Sequence, residues 1–303
     1  MRKLFLIMNL LFLVGLAACN PTSGPAEVAQ EPTQPSPSAT PSPTDTAVPE
    51  PTATPTVEPT ETPIPEPTVS PEELSAQFFT AITENDLAAV AELITAGIDP
   101  NLKNNASQPA LILAQNQDDP MPIIDLLVEA GADIEVTDRI GTTPLMRAAA
   151  DKNDHVELVS YFLEKGAAVD ATTSGGATAL ILAVQNDNTA VVDYLIAAGA
   201  DVNHQDDSQY QLGPIHWAAR KGYLDSLKLL LDAGVDIDSL EGTKSSAIFW
   251  AAYQGHEAVV EHLLSAGADL TLRDNLGETV LYWAKNQGED EIAQMIIDAG
   301  GTE

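Results

Sequence analysis

Seven glycines divide the carboxyl-terminal two thirds of the chain into nearly equal lengths. Gly97, Gly131, Gly166, Gly199, Gly234, Gly267 and Gly300 are separated by 34, 35, 33, 35, 33 and 33 residues. A second beat runs beside them through Leu111, Leu145, Leu180, Ile215, Ile248 and Leu281, at intervals of 34, 35, 35, 33 and 33. A unit this short buries too little apolar surface to stand alone, so each must cover its neighbour's apolar face. The period therefore points to a stack of like modules.

Within each module the residue types fit a pair of helices. Thr143, Thr178 and Thr279 stand two residues before a beat residue, where a hydroxyl can cap the first N–H groups. Pro144 and Pro214 fall in the first turn, where a missing N–H leaves no bond unmade. Ala218-Ala219 and Ala251-Ala252 let neighbouring helices approach closely, and Val259, Val260, Leu263 and Leu264 recur at helical spacing. The repeating glycine supplies the left-handed backbone that ends the second helix. Thr143-Pro144-Leu145, Gly213-Pro214-Ile215-His216, Ala198-Gly199-Ala200-Asp201-Val202-Asn203, Ala266-Gly267-Ala268-Asp269 and the turn Gly255-His256 resemble the ankyrin-repeat family over about residues 74 to 300. The resemblance implies an all-α solenoid of helix-turn-helix units joined by β-hairpin loops. Six repeats are expected over 104–303, opening near Asn104, Asp138, Thr172, Asp206, Leu240 and Asp274. Residues 71–103 are expected to form an amino-terminal capping helix pair, with Asp86 placed to cap its second helix. The resemblance further implies a monomeric module that binds a protein or peptide on a concave surface of first helices and hairpin tips, without cofactor or catalysis.

The register breaks twice. From terminal glycine to the next beat residue is normally 14 positions, but Gly199 to Ile215 takes 16, which lengthens the hairpin that carries Asp206, Asp207, Tyr210 and Gln211. Leu145 to Gly166 takes 21 positions against 19 in later repeats, and the extra length falls near Ala150 to His155.

One position holds an aromatic ladder. Trp217, Trp250 and Trp283 lie 33 residues apart, two residues after the beat residue, where earlier modules have Leu113, Arg147 and Leu182. Either the indoles form a strip ready to stack on a peptide or sugar ring, or they pack between successive first helices as leucine does. Arg220, Lys221, Tyr253, Gln254, Asn286 and Gln287 fall at groove-facing positions of the ankyrin pattern. With Tyr210 and the tryptophans, Arg220, Lys221, Tyr253 and Gln254 are the candidate partner-binding residues.

The amino terminus reads differently. Arg2 and Lys3 precede an apolar run, Leu4 to Leu16, interrupted by Asn9. The run is too short for a bilayer core of about 30 Å and right for a signal peptide. Leu16-Ala17-Ala18-Cys19 resembles the bacterial lipoprotein signal, which implies cleavage after residue 18 and lipidation of Cys19, the chain's single cysteine. Residues 19–70 hold the lipidated cysteine and a linker of Pro, Thr, Ser, Ala, Val and Glu with no base and no aromatic. Such a composition cannot form a core and is expected to be disordered. As extended polyproline II its 51 residues would reach at most about 160 Å, a stalk between membrane and solenoid. The expected location is the extracytoplasmic side of a cell membrane, with the membrane itself as a partner through the lipid.

Charge and chemistry narrow the function. The chain carries 45 acidic and 13 basic residues, a net charge of −32. Nucleic acid and anionic headgroups are thereby excluded as general partners; basic or neutral partners, or cations, suit it better. No Gly-rich phosphate loop and no nucleophile elbow occurs, and His256 and His262 lack metal-ligand spacing. His155, His216 and His256 fall where ankyrin repeats use histidine to hold turns; His204 lies in a hairpin. Asp201, Asp206 and Asp207 lack the spacing of a calcium loop, and Asp206-Asp207 and Glu289-Asp290-Glu291 read as solvated charge. The alternative to a protein partner is a carbohydrate or cell-wall ligand stacked on the tryptophans.

Overall fold

The computed structural model describes residues 70–152 and 156–303. The signal sequence, Cys19, the linker through Val69 and the turn residue His155 lie outside the described residues. Fourteen helices are described, in seven consecutive pairs. The first pair is α1 (Pro71–Thr83) and α2 (Leu87–Thr95). Six more follow: α3 (Ala110–Ala114) with α4 (Met121–Glu129), α5 (Pro144–Ala149) with α6 (Val156–Glu164), and α7 (Ala179–Gln185) with α8 (Thr189–Ala197). The last three are α9 (Pro214–Lys221) with α10 (Leu224–Asp232), α11 (Ala247–Gln254) with α12 (Glu257–Ser265), and α13 (Val280–Gln287) with α14 (Asp290–Asp298). First helices pack on first helices of the next module, and second helices on second helices at every junction except that of α4 with α6. The connecting loops fold back as tight turns. One antiparallel bridge, Lys103 to Pro109, is their sole β pairing among the described residues.

Each boundary has a local cause. Ser70 accepts the Glu73 N–H at 3.2 Å and Asp86 that of Ala89 at 3.0 Å. Thr143, Thr178 and Thr279 accept from Met146, Ile181 and Tyr282, each at 3.3 Å, which satisfies donors that a helix start otherwise orphans. The seven period-setting glycines all end second helices with φ between +83° and +96°, a conformation that penalises any Cβ. The second helices after α2 bury an i, i+1, i+4 triplet, for example Leu158, Val159 and Phe162, then Val191, Val192 and Leu195. Every beat residue from Leu111 to Leu281 is buried.

Polar bonds tie module to module at fixed positions. Asn101, Glu135, Asp170, Asn203 and Asp238 each accept a backbone N–H from the following module, those of Asp133, Ala168, Asp201, Asp236 and Asp269, at 2.7 to 2.9 Å. The loop tips also join by backbone bonds: Ser174 to Ile140, Asp207 to Gly175, Gly242 to Tyr210 and Asn275 to Thr243. Asn188 leaves its own helix uncapped and donates its side-chain amide to Ala149 and Asp151 of the preceding module. His256 does likewise, its Nε2–H reaching the Arg220 carbonyl at 3.1 Å. Both trade a local cap for a bond along the stack.

The two irregular modules differ as their spacing requires. Residue Asp206 stands nine positions before Ile215, whereas Asp274 stands seven before Leu281. The insertion thus lies wholly in the tip that carries Tyr210. In the second module α5 ends at Ala149 and α6 begins at Val156, so the added length lies in the turn between them.

Candidate partner-binding face

First helices and loop tips together form one face, and its fourth to sixth modules concentrate the aromatic residues. Trp217 sits on α9, Trp250 on α11 and Trp283 on α13. Their neighbours set their environments. Trp217 donates its indole N–H to Asp206 at 3.3 Å, and Trp283 donates to Asp274 at 2.7 Å. Both acids belong to loop tips and are buried. In the intervening module the tip acid is Glu241, one methylene longer, and its carboxylate is consumed by the N–H groups of Thr243 and Ser245 and by the Thr243 hydroxyl. Trp250, 7% exposed, consequently has an indole N–H without an acceptor.

Arg220 binds this strip together. Its guanidinium lies 5.1 Å from the Trp217 ring centre and 5.2 Å from that of Trp250, a planar cation held against two π faces. Burial lowers its pKa from the ordinary value, with the phenol of Tyr210 opposing, yet an arginine keeps its charge at neutral pH. Tyr210 stands edge-on to Trp250 at 6.1 Å, and Tyr253 and Tyr282 flank Trp283 at 5.7 and 5.5 Å. Burial also raises the Tyr253 phenol above its usual range. The structure thus joins Tyr210, Trp217, Arg220 and Trp250 in one cluster and Tyr253 with Trp283 in an adjoining one. Lys221 and Gln254 are exposed at the ends of α9 and α11 and take no part in the ring contacts.

His216 fixes this part of the face to the stack. It is fully buried. The Gly213 N–H donates to Nδ1 at 3.2 Å, so Nε2 carries the proton and donates to the Ser239 carbonyl of the next loop at 2.9 Å. Glycine at the helix start offers no capping side chain, and the imidazole supplies the missing acceptor. Burial outweighs the surrounding carboxylates and lowers the ring's pKa from 6.5. His204 donates to the Gly176 carbonyl at 2.8 Å. Both histidines serve the turns.

The reading of Asp206-Asp207 as solvated charge needs correction. Asp207 is exposed, but Asp206 is 6% exposed and accepts from Ser208, Leu212 and Trp217. Residues 11 apart with an insertion between them give no local clue to that bond. The signal that could have found it is the repeat register, since Asp206, Glu241 and Asp274 fill one tip position. Among the described residues no group of three or more His, Cys, Asp or Glu side chains is placed to hold a metal ion. No helix among them is long and apolar enough to cross a membrane.

Comparison with known proteins agrees with this geometry. Family models of ankyrin repeats match residues 111–206 and 215–303, and a second ankyrin model matches 187–231. A Danio rerio protein named as a palmitoyltransferase, ZDHHC13, is 28% identical over 171 residues, 55% of this chain. The chain spans about a fifth of that relative's length, the share being 20%.

Proposed function

Because this chain belongs to the ankyrin-repeat family, we propose that its stack is a protein-binding module tethered by a lipid on Cys19 to the outer side of a cell membrane. Ankyrin repeats are a protein-interaction architecture, and the face of first helices and tips is where this chain gathers its aromatic and cationic side chains. That clustering is the observation that carries the reading. Tryptophan, tyrosine and arginine dominate the energetics of protein interfaces. The rest of the proposal comes from the sequence: Leu16-Ala17-Ala18-Cys19 with its short apolar run supports lipidation, and the Pro-rich linker supports a stalk. The bound partner is a protein or peptide, and the module acts as a monomer without catalysis.

A sugar ligand fits the geometry less well. Stacking on sugar needs open indole faces, whereas Arg220 occupies the space against both Trp217 and Trp250.

Two measurements test the proposal. A photocrosslinking residue placed at Lys221 should capture a partner on intact cells, while one at Lys228, on second helix α10, should not. Capture from Lys228 alone would remove the assignment of the binding face. Separately, the wild-type chain should partition into detergent and Cys19→Ser into the aqueous phase. Equal partitioning of the two would remove the lipid anchor.

A further inference from the structure

The junction between the first and second repeats is built unlike the others. Its second helices, α4 and α6, are the one neighbouring pair that does not pack closely. Its first helices, α3 and α5, are five and six residues long, whereas every other first helix has seven or more. From the second tip onward each loop tip is joined to the next by a backbone bond. Among the described residues no such bond joins the first tip, Asn104 to Gln108, to the second, Asp138 to Thr142. Most of what crosses here is polar. The Tyr161 hydroxyl donates to Asp125 at 3.0 Å, Arg147 to Asn116 at 2.6 Å, the Ala168 N–H to Glu135 at 2.8 Å and Lys103 to the Thr137 carbonyl at 2.8 Å. All four bonds lie at the exposed surface. A bond that water can replace adds little to holding two bodies together. At the following junction, by contrast, Asn188 is buried and ties its module to Ala149 and Asp151.

The first repeat also carries a cost of its own. Gln115, 4% exposed, closes α3, and neither its Oε1 nor its Nε2 has a hydrogen-bond partner. The same place, four residues after the beat residue, holds Ala149, Val184, Ala219 and Ala252 in the next four repeats, all fully buried. A buried amide without partners bears a desolvation cost that is relieved when the structure around it opens. The capping pair, for its part, is well joined to the first repeat. There α1 packs on α3 and α2 on α4, and Asn101 bonds both the Gly131 carbonyl and the Asp133 N–H. We infer that α1 to α4 form a separately opening unit, released as one body along this junction while repeats two to six stay stacked. Every tryptophan lies in the part that stays. Residues 1–69 join the stack through Ser70, the cap of α1, so a pull on them reaches the yielding unit first. The device lets the amino-terminal end give way without disturbing the aromatic clusters of the fourth to sixth modules.

Native-state hydrogen exchange of the full chain, read by mass spectrometry, locates such a unit. Amides of α1 to α4 should exchange together, about tenfold or more faster than those of α7 to α10. Ordinary fraying from the end gives another pattern, in which protection rises pair by pair and α3 and α4 are slower than α1 and α2. Gln115→Met keeps the length of the side chain and removes both unbonded atoms. It should slow exchange in α1 to α4 by about tenfold and leave α9 to α14 as they were. Tyr161→Phe removes the bond to Asp125 and should speed exchange in α1 to α4 alone by about threefold. A gradual rise from the amino end or a step at any other junction would overturn the inference. So would a pair of variants that leave α1 to α4 unchanged or alter all repeats alike.

Discussion

Alanine in place of Phe162 is expected to cost about 3–5 kcal/mol of unfolding free energy. Phe162 is fully buried on α6, among the largest such side chains in the molecule, with its ring set edge-on to Tyr161 at 5.5 Å. Its helix packs against α5 within the module and against α8 in the next. In a one-dimensional stack such a loss is felt at two interfaces and nowhere else. The variant should therefore unfold in parts. The tryptophans lie in modules four to six and report only that end, whereas circular dichroism reports every helix. In urea, ellipticity should fall at lower denaturant than in the wild type and ahead of the fluorescence change. Coincident transitions at the wild-type midpoint would mean that the interior interfaces do not carry the stability assigned to them.

His216→Ala should cost about 3–4 kcal/mol, from a cavity and from two orphaned backbone groups, the Gly213 N–H and the Ser239 carbonyl. The same side chain also gives stability a pH dependence of definite sign. Burial holds the folded pKa below 6.5, so between the two values the unfolded chain binds the proton and the folded chain does not. The contribution is complete above pH 6.5, shrinks as pH falls below it at up to about 1.4 kcal/mol per pH unit, and stops changing once the folded pKa is passed. Urea unfolding at a series of pH values from 7.5 downward, in wild type and variant, isolates the ring as a difference in slope. Equal slopes would show that the imidazole is not held neutral by its surroundings.

What could be read in the residues and what could not divide along chain distance. The glycine period, the threonine caps and Asp86 are relations of three or four residues, or strict repeats of one position, and the structure places each as expected. The acceptor row through Asn101, Glu135, Asp170, Asn203 and Asp238 is not legible in the residues, because its bonds cross 31 to 33 residues and join unlike side chains to backbone. The tryptophans show the same limit. Their common position was plain, yet one is buried and two are half-buried, because the depth of each depends on the tip acid of its own module. Arg220 lay at a groove position by pattern; that it would lie between two indoles follows from the rise of the stack.

The acceptor row has a direction, and direction matters to a polymer that is extruded from one end. Every side-chain acceptor in it belongs to the module nearer the amino terminus, and every backbone amide it serves belongs to the module behind. As the chain leaves a ribosome or a translocation channel, each newly released amide meets an oxygen already in place. Loss of modules from the carboxyl end leaves side-chain carboxylates and carboxamides to water, and loss from the amino end leaves main-chain N–H groups to it.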